Sequence, residues 1–306
     1  MSRVSIIVPV FNRERTLRRA LNSILNQTYK EYEVLICDDG SYDRTKEIAR
    51  EFVKMDSRFK LLELKENKGA GAARNLGMKN STGDFIAFLD SDDEWLPDKL
   101  EKQVQRMDNE PKCVGVCLTG SLIIKNDKKR VKYFPKKDWE HDTFKKFVLG
   151  KISFITSTIL FRKECLFRAG YMNEKMKRNQ DIEFLLRIFY EFKLAVIEEM
   201  LAVCYIDTKN TTNYYEKVKE ALPCHLSNLH IIKEKLGNKI AMRFLCSRYS
   251  YLISAAIRER KWKNVKSDLM NRIKITAIFW PEEIWIIIKA FLKRIYLDFY
   301  YLFKTI

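Results

Sequence analysis

Short, uninterrupted apolar runs alternate with helical patterns over the first two hundred residues of the chain. The segments Val4–Phe11 (VSIIVPVF) and Glu33–Gly40 (EVLICDDG) are apolar over most of their length, which is typical of buried strands. The segment between them, Glu14–Gln27, repeats its apolar residues at helical spacing. Those on one face of the predicted helix are Leu17, Leu21, Ile24 and Leu25. The pattern therefore predicts a strand, an amphipathic helix and a second strand.

The same alternation continues to about residue 93. A helix is predicted from Asp43, with this aspartate as its N-cap, and a third strand over Phe59–Asn67 (FKLLELKEN). A loop of Gly and Ala leads into another helix, and Asp84–Asp93 (DFIAFLDSDD) is predicted as a fourth strand. Continuous apolar strands separated by helices indicate an α/β fold with a parallel sheet covered on both faces. Such sheets bind ligands at the carboxyl ends of their strands.

The last third of the chain differs in composition from the rest. Residues 208–306 contain 19 Lys and Arg against 8 Asp and Glu, and so carry most of the formal net charge of +17. Only Gly237 of the ten glycines lies beyond residue 207. Because intricate turns are concentrated in the front part, the back part is predicted to consist of simply connected helices. We place a boundary near residue 207, between a domain at 1–207 and a basic helical region at 208–306.

Length and composition narrow the class of protein. A chain of 306 residues, 46% of them hydrophobic, can bury a core as one large domain or as a domain with an appendage. The N-terminus lacks a signal-peptide pattern, and no run approaches the ~18 apolar residues that a spanning helix needs. The seven cysteines are scattered, and the three histidines are not at zinc-ligand spacing from them. We therefore expect reduced core thiols in a cytoplasmic protein and no zinc site.

A cluster of acidic side chains lies within five positions at the end of the fourth predicted strand and just beyond it. Its members are Asp90, Asp92, Asp93 and Glu94. Two carboxylates about 5 Å apart repel by roughly 3 kcal/mol at an effective dielectric constant of about 20. A cation would offset this repulsion, and carboxylate oxygens are ligands suited to Mg²⁺ or Mn²⁺. The alternative is that these acids stabilise the N-terminus of the next helix, which Trp95–Asp98 would open.

An acidic pair, Asp38 and Asp39, ends the second predicted strand. A carboxylate at this position could accept hydrogen bonds from the base or the ribose of a nucleotide. The alternative is a purely local role, because the Asp-Gly sequence at residues 39–40 favours a tight turn. Both acidic groups are predicted to lie at the same edge of the sheet.

Two further segments could contribute to a site at this edge. Asn67–Gly77 (NKGAGAARNLG) supplies small residues and then Arg74 at a predicted helix start, which suits the approach of a phosphate. Its glycine spacing is not that of a dinucleotide-binding fingerprint, and the small residues could serve only close helix packing. Asp181 lies near the start of an amphipathic helix and could act as a general base, or belong to an ordinary acidic first turn.

Taken together, these segments resemble glycosyltransferase family 2. VSIIVPVFN and SILNQTY are similar to its opening strand and helix, and VLICDDGSYDRT to its nucleotide-binding segment. GAARNLGMKNSTGDFIAFLDSDDEW resembles its Arg-Asn-x-Gly stretch and metal motif, and GYMNEKMKRNQDIEFLLR the segment that ends in a Glu-Asp pair. The resemblance covers roughly residues 2–200. It implies an A-type glycosyltransferase fold, which is a Rossmann-like mixed sheet flanked by helices, here with a C-terminal helical extension.

The resemblance also implies an activity and roles for single residues. The activity is inverting transfer from a nucleotide sugar, usually a UDP-sugar, with Mn²⁺ or Mg²⁺ as cofactor. Asp181 matches the catalytic base, although Gln180 stands in place of the usual Glu and Asn173 in place of an Asp. The implied metal ligands are Asp92 and Asp93. The implied nucleotide-sugar site comprises Pro9, Asp38, Asp39, Arg74, Asp90, Ser91 and Asp92, with Asp39 at the base and Arg74 facing the diphosphate.

The basic C-terminal region lies outside the resemblance. Glu282–Phe303 is predicted as a helix with a charged half and an apolar, aromatic half, which suits the interface of an anionic membrane. The alternative is a terminal helix packed on the catalytic domain. The basic run Lys125–Lys137 is predicted as a hairpin or loop. With a lipid-linked or surface glycan as acceptor, we expect a cytoplasmic protein that is peripheral on the inner face of the membrane.

Three other functions stay open at this point. The first is transfer to a polyprenyl phosphate, an acceptor that is already ionised and needs no base. The second is nucleic-acid binding, suggested by the charge and the 12% aromatic content. The acids at the predicted cleft argue against it, because they would repel a phosphate backbone. The third is a non-catalytic sensor of nucleotide sugars.

Overall fold

A nine-stranded mixed sheet forms the centre of the first part of the molecule. The computed structural model describes residues 3–125, 128–132, 138–205, 213–275 and 287–288. The strands are β1 (Val4–Val10), β2 (Tyr32–Asp38), β3 (Phe59–Glu63), β4 (Phe85–Phe88), β5 (Glu94–Trp95), β6 (Val114–Lys125), β7 (Lys128–Lys132), β8 (Ile159–Arg162) and β9 (Lys193–Tyr205). The helices that flank them are α1 (Leu17–Leu25), α2 (Thr45–Met55), α3 (Ala70–Asn80), α4 (Lys99–Asp108), α5 (Thr143–Val148), α6 (Cys165–Ala169) and α7 (Gln180–Glu191). The α/β class and the mixed sheet are as expected.

The strand order is β3-β2-β1-β4-β8-β6-β9-β5, and β7 pairs with β6. The first four strands are parallel, whereas β8 runs antiparallel to both β4 and β6. The wholly parallel sheet that the apolar pattern indicated is therefore wrong beyond β4. The direction of a strand depends on the path of the chain that leads to it. The direction of β8 therefore cannot be predicted from its own pattern of apolar residues.

Strand β1 is buried along its whole length and accommodates a proline near its end. Pairing of β1 with β4 stops at Ile7 and Phe88, and Leu89 donates its N–H to the carbonyl of Ile7 at 3.1 Å. Since Pro9 is two residues after Ile7, its nitrogen faces the same side, beyond the end of β4. No ladder hydrogen bond is required of it there. The early end of β4 leaves room for the acidic residues that follow.

Three predicted helix starts need correction. Helix α1 begins at Leu17, three residues after the predicted start, although Leu17, Leu21 and Ile24 are buried as predicted. The N-cap position of α2 is Arg44 and not Asp43, which instead accepts the N–H of Thr45 through Oδ1 at 3.0 Å. Helix α3 begins at Ala70, so Arg74 lies one turn inside the helix and not at its start.

The chain divides into two compact units, Met1–Glu174 with Gln180–Thr208, and Lys175–Asn179 with Lys209–Ile306. The described residues of the second unit beyond residue 212 are mainly helical, as expected for the C-terminal extension. Its helices are α8 (Tyr214–Ser227), α9 (Leu229–Leu236), α10 (Asn238–Arg258) and α11 (Trp262–Ile275). A small core in this unit comprises Tyr215, Val218, Leu252, Ala255 and Ala256.

Other sequence predictions fall partly outside the described residues. The basic run at 125–137 forms the β6–β7 hairpin where it is described, with Lys125 paired with Lys128. The predicted tail helix at 282–303 lies outside the described residues, apart from residues 287–288. None of the helices in the described part of the chain has the length and apolar run that a bilayer crossing requires. All seven cysteines are free, but Cys113 is exposed and Cys224 is half-buried, so these two are not the core thiols that we expected.

Candidate active site

The acidic residues form a turn directly after β4. The N–H of Asp93 bonds to the carbonyl of Asp90 at 2.9 Å, and Glu94–Trp95 then pair with β9 as strand β5. Helix α4 begins only at Lys99, with Asp98 at its N-cap. The alternative that these acids open the next helix is therefore wrong. They lie at the carboxyl ends of the parallel strands, where such sheets bind ligands.

Arg74 and Asp90, far apart in sequence, form an ion pair in this turn. Nη2 of Arg74 lies 2.5 Å from Oδ1 of Asp90. The arginine is only 6% exposed, while the Asp90 side chain is 29% exposed. Nε of Arg74 is also buried and has no hydrogen-bond partner among the described residues. The pair thus places a partly exposed carboxylate against a buried guanidinium that retains an unused donor.

Asp92 is the most outward of the acids in the turn. Its side chain is 38% exposed, and Oδ2 lies 3.5 Å from Nη2 of Arg13. Burial, followed by the charge of Asp90, raises the pKa of the Asp92 carboxyl above its ordinary value. Its backbone carbonyl accepts a hydrogen bond from Arg19 Nη2 at 2.5 Å. Ser91, just before it, is buried.

Asp93 points the other way, into the protein. Its Oδ2 accepts the hydroxyl of Ser157 at 2.5 Å, and its Oδ1 accepts the N–H of Tyr205 at 3.1 Å. Burial, followed by the charge of Asp90, raises the pKa of the Asp93 carboxyl to about 7. Both of its oxygens are engaged by protein donors, so Asp92 is better placed than Asp93 to meet a ligand. The metal role predicted for Asp93 stays a prediction.

The residues in the turn fit a hard divalent cation. Asp90 and Asp92 offer partly exposed carboxylate oxygens in the same turn. Burial, followed by the charge of Asp90, raises the pKa of Asp92, so a cation there would favour its ionised form. Across the part of the chain that the structure describes, no three His, Cys, Asp or Glu side chains form a set that could hold a metal. An ion such as Mg²⁺ bound together with a diphosphate typically uses only one or two protein carboxylates.

The Asp38–Asp39 pair makes a tight turn and fastens a second loop. Oδ2 of Asp38 accepts the N–H groups of Gly40 at 3.2 Å and Ser41 at 3.0 Å, and Gly40 has φ +77°. The two oxygens of Asp39 accept the N–H groups of Lys68 at 2.7 Å and Gly69 at 2.8 Å. Local hydrogen bonds to the backbone of the two loops thus account for three of the four carboxylate oxygens of the pair. Oδ1 of Asp38, however, is buried without a hydrogen-bond partner in the described structure.

An exposed aromatic pair beside this turn was not predicted from the sequence. The rings of Phe11 and Tyr42 meet edge to face with centroids 5.9 Å apart, and Tyr42 is 85% exposed. Asn12, at φ 52°, joins the two loops by accepting the N–H of Tyr42 and donating its own N–H to Ser41. The sequence signal for this junction of the two loops is an Asn directly after an apolar strand, because Asn tolerates a positive φ better than most residues.

Helix α3 shows why Arg, Asn and Gly occur together at residues 74–77. Arg74 points to the acidic turn, while Asn75 bonds to the backbone of Met172 in both directions at 2.9 Å and to Glu174 at 2.8 Å. Gly77 faces the sheet, since a Cβ there would lie 2.6 Å from Cγ2 of Ile7. Each of the three residues therefore connects α3 to a different part of the molecule.

Asp181 is the second residue of α7 and contacts the same region through a hydroxyl. Its Oδ2 accepts the Thr156 hydroxyl at 3.1 Å, and its Oδ1 lies 2.9 Å from the N–H of Ile182. Gln180, before it, packs against Gly71 near the start of α3, because a Cβ on that glycine would lie 3.4 Å from Cγ of Gln180. The start of α7 is thus adjacent to the start of α3.

The short 3-10 turn at Thr156–Thr158 was not predicted from the sequence. Thr156 contacts Asp181, and its neighbour Ser157 contacts Asp93 and the backbone of Asp90. Three consecutive hydroxyl residues are the only local signal, and they carry no periodicity. The structure therefore brings the acidic turn, Arg74 and Asp181 to one region, while Asp38, Asp39 and Pro9 lie at the neighbouring strand ends.

The sequence is similar to a family model and to known proteins. A family model described as glycosyl transferase family 2 matches residues 5–169. An uncharacterized glycosyltransferase of Haemophilus influenzae is 31% identical over 247 residues, which cover 78% of this chain and 91% of that protein. The UDP-Glc:alpha-D-GlcNAc-diphosphoundecaprenol beta-1,3-glucosyltransferase WfgD of Escherichia coli is 50% identical over 104 residues, but the match covers 34% of this chain and only 40% of WfgD.

Solved structures share the fold at low sequence identity. TarS 1-349 of S. aureus in complex with UDP-GlcNAc has a TM-score of 0.62 and 18% identity, over 95% of this chain and 89% of that chain. The mannosyltransferase PcManGT from Pyrobaculum calidifontis in complex with GDP-Man and Mn²⁺ has a TM-score of 0.59 and 18% identity, over 97% and 86% of the respective chains. The expected A-type glycosyltransferase fold is confirmed.

Proposed function

This chain belongs to glycosyl transferase family 2, and we propose that it moves one sugar, with inversion, from a UDP-sugar to a hydroxyl of a lipid-linked or surface glycan. The observation that carries the proposal is the meeting of Arg74, Asp90 and Asp92 at the carboxyl ends of the strands, with Asp181 joined to the same region through Thr156. The arrangement provides places for a charged leaving group and for a base.

The donor nucleotide is proposed to lie along the ends of β1 and β2. The exposed rings of Phe11 and Tyr42 offer a stacking surface, and Asp38 and Asp39 offer acceptor oxygens. Arg74 is proposed to contribute positive charge beside the diphosphate, and its buried Nε–H has no partner among the described residues. WfgD is named for a UDP-Glc donor, and TarS was solved with UDP-GlcNAc, so we propose a hexosyl or N-acetylhexosaminyl unit on UDP.

Asp181 is proposed as the general base of the transfer. Its carboxylate takes the proton of the acceptor hydroxyl, whose oxygen forms a bond to the anomeric carbon as the bond from that carbon to the diphosphate breaks. The bonding electrons leave with UDP, and attack from the opposite side inverts the anomeric centre. The Thr156 hydroxyl holds one Asp181 oxygen, so the carboxylate is oriented before the acceptor arrives.

A divalent cation is proposed as the cofactor, held by Asp92 and Asp90. The PcManGT complex contains Mn²⁺, and the partly exposed carboxylates of Asp90 and Asp92 in one turn support a cation at this place. When bound, Mn²⁺ or Mg²⁺ supplies positive charge that neutralises the diphosphate leaving group. Within the protein, Arg74 and Arg13 contribute charge of the same sign to the same turn.

The Asp181→Asn variant tests this proposal. Turnover is measured as UDP release from UDP-glucose and UDP-GlcNAc with Mn²⁺ and an acceptor that carries N-acetylglucosamine on a polyprenyl diphosphate. We expect kcat to fall by at least about 100-fold, because the acceptor hydroxyl loses its base. Unchanged turnover with a polyprenyl phosphate would instead favour the second candidate, in which the acceptor is already ionised.

Contact with an anionic membrane is proposed for the basic C-terminal region, and with it a peripheral location. The exposed side chains of α11 include Trp262, Met270 and Ile273, at spacings that place them on one side of the helix with Lys266 between them. Aromatic and apolar side chains with nearby lysines suit the membrane interface. WfgD is named for an undecaprenol-linked acceptor, which supports a partner at the bilayer surface. We propose no nucleic-acid partner, because the site is acidic.

Removal of residues 282–306 tests the part of the membrane proposal that concerns the C-terminal tail, because α11 is retained. Flotation with vesicles that contain phosphatidylglycerol should recover most of the full-length protein and less of the shortened one. Neutral vesicles are the control and should recover little of either. Equal recovery of both proteins with anionic vesicles would contradict a role of the tail in this contact.

A further inference from the structure

Two adjacent hydroxyl residues, Thr156 and Ser157, contact the two halves of the proposed active site, which are the base Asp181 and the acidic turn at Asp90–Asp93. We propose that Thr156 and Ser157 are positioning residues, which orient the base Asp181 and hold the acidic turn at Asp90–Asp93 in a fixed relation to it. The inference rests on the proposed function, because it concerns the same reaction. It assigns a purpose to two residues that have no direct part in binding the donor or the cation.

The contacts of the two side chains are divided between the two halves. The Thr156 hydroxyl donates to Oδ2 of Asp181 at 3.1 Å. The Ser157 hydroxyl donates to Oδ2 of Asp93 at 2.5 Å and accepts the backbone N–H of Asp90 at 3.1 Å. Since the two hydroxyls are on consecutive residues, a shift of either half relative to the other must stretch one of these bonds.

The backbone of this pair is itself held from the buried side. Trp95 donates Nε1–H to the carbonyl of Ser157 at 2.7 Å. Gln103 donates Nε2–H to the carbonyls of Thr158 at 3.1 Å and Cys117 at 2.9 Å, and its Oε1 accepts Nζ of Lys99 at 2.6 Å.

Burial makes this support rigid. Ser157, Lys99 and Gln103 are fully buried, and Trp95 is 3% exposed. Exchange of these hydrogen bonds for bonds to water is therefore disfavoured. The turn can hold Thr156 and Ser157 in place because its carbonyl groups are fixed by side chains of β5 and α4.

The two residues are expected to affect different steps. Thr156 acts on the base, so its loss should slow the chemical step, for which orientation of the reacting groups matters most. Ser157 acts on the turn that bears Asp90, so its loss should weaken binding of the diphosphate and cation. A residue that merely stabilised the fold would show neither this separation nor rescue by a conservative variant.

Thr156→Val tests the first half of the inference, because valine has nearly the same shape without the hydroxyl. With UDP-GlcNAc or UDP-glucose, Mn²⁺ and the polyprenyl-diphosphate acceptor, we expect kcat to fall by about 10- to 100-fold. The KM for the donor should stay within about twofold of the wild-type value, and Thr156→Ser should restore most of kcat.

Thr158→Val is the matched control. Its hydroxyl donates to the carbonyl of Ile155 rather than to an acid, so kcat should be that of the wild type. Wild-type turnover in Thr156→Val would overturn the inference. Equal losses in the Thr156→Val and Thr158→Val variants, or no rescue by serine, would also overturn it, since the effect would then be general disturbance of the turn.

Ser157→Ala tests the second half without relying on turnover. Calorimetric titration with UDP and Mn²⁺ should show affinity about tenfold weaker than wild type, whereas Thr156→Val should bind UDP normally. Thermal unfolding of each variant establishes that it is folded before titration, and if Ser157→Ala does not fold, the Thr156 comparison decides. Unchanged UDP affinity in folded Ser157→Ala would contradict the assigned role.

The outcome for the proposed function can be distinguished from the outcome for this inference. A wild-type protein that binds no UDP and releases none from either sugar contradicts the proposed function. Suppose instead that the wild type is active, Asp181→Asn is inactive and Thr156→Val is fully active. These results would leave the proposed function in place and refute only the positioning role.

Discussion

Burial disfavours the ionised form of a carboxylate, because the charge is then not solvated by water. Asp93 is such a group, since it is only 4% exposed. Burial, followed by the nearby charge of Asp90, raises the pKa of Asp93 to about 7. The hydrogen bond from Ser157 lowers this pKa, but by less than the other two raise it. Between the ordinary carboxyl pKa and about 7, the folded protein holds a proton at Asp93 that the unfolded chain releases. The contribution of this group to stability therefore decreases as the pH rises through that window.

Asp93→Asn should remove this pH dependence. From pH 5.5 to pH 7, the free energy of unfolding of the metal-free wild type should fall by about 1–2 kcal/mol relative to the variant. Urea unfolding followed by tryptophan fluorescence at the two pH values measures the difference. Parallel behaviour of the two proteins would show that Asp93 is ionised throughout this range.

The site could be predicted in part at the scale of single residues. Acids at strand ends and Arg74 have local signals in the sequence, and the structure does bring Arg74 to Asp90. Ser157 has no such signal, because its partner Asp93 is 64 positions away and a serine in a short turn is compatible with many roles. The sequence also could not show that Asp93 faces inward while Asp92 faces outward.

At the scale of elements, helix α3 packs on the sheet at the position of a glycine. A Cβ on Gly77 would lie 2.6 Å from Cγ2 of Ile7 and 3.0 Å from Sγ of Cys37, both of which are buried in β1 and β2. Neither side chain can retreat far from a filled core. The close approach of α3 to the sheet places Arg74 beside the end of β4.

Gly77→Ala should therefore destabilise the protein, by about 1–3 kcal/mol, as expected for overpacking. Gly71→Ala in the same helix is the matched control, because its Cβ would lie 3.4 Å from the Gln180 side chain, at ordinary contact distance. The control should be neutral or slightly stabilising, since alanine favours helix. Equal midpoints of urea unfolding for both variants would contradict the packing argument.

The elements themselves were predictable to different degrees. The apolar runs of β1, β2 and β4 and the buried face of α1 locate them in the sequence, but with boundaries that are too long. Apolar runs continue past the strand ends into residues that have left the ladder, such as Leu89. The direction of β8 was not predictable, because pairing between distant segments decides it.

At the scale of the whole molecule, charge is separated between regions of the chain. The formal charge is +17, with most of the excess after residue 207, while carboxylates gather at the strand ends of the first unit. A protein that bound phosphate polymers at this edge of the sheet would not present acids there. The distribution instead suits a cation and a single nucleotide at the acidic edge.

The most direct test of this account is titration of UDP into the protein with Mn²⁺ and with EDTA. For the wild type we expect binding with Mn²⁺ and little or none with EDTA, and for Asp92→Ala a loss of the metal-dependent binding. Asp84→Ala, which removes an acid that is 75% exposed and paired with Arg3, is the control and should bind as the wild type does. Tight, EDTA-sensitive binding of UDP to Asp92→Ala would contradict the central claim that this carboxylate holds the cation.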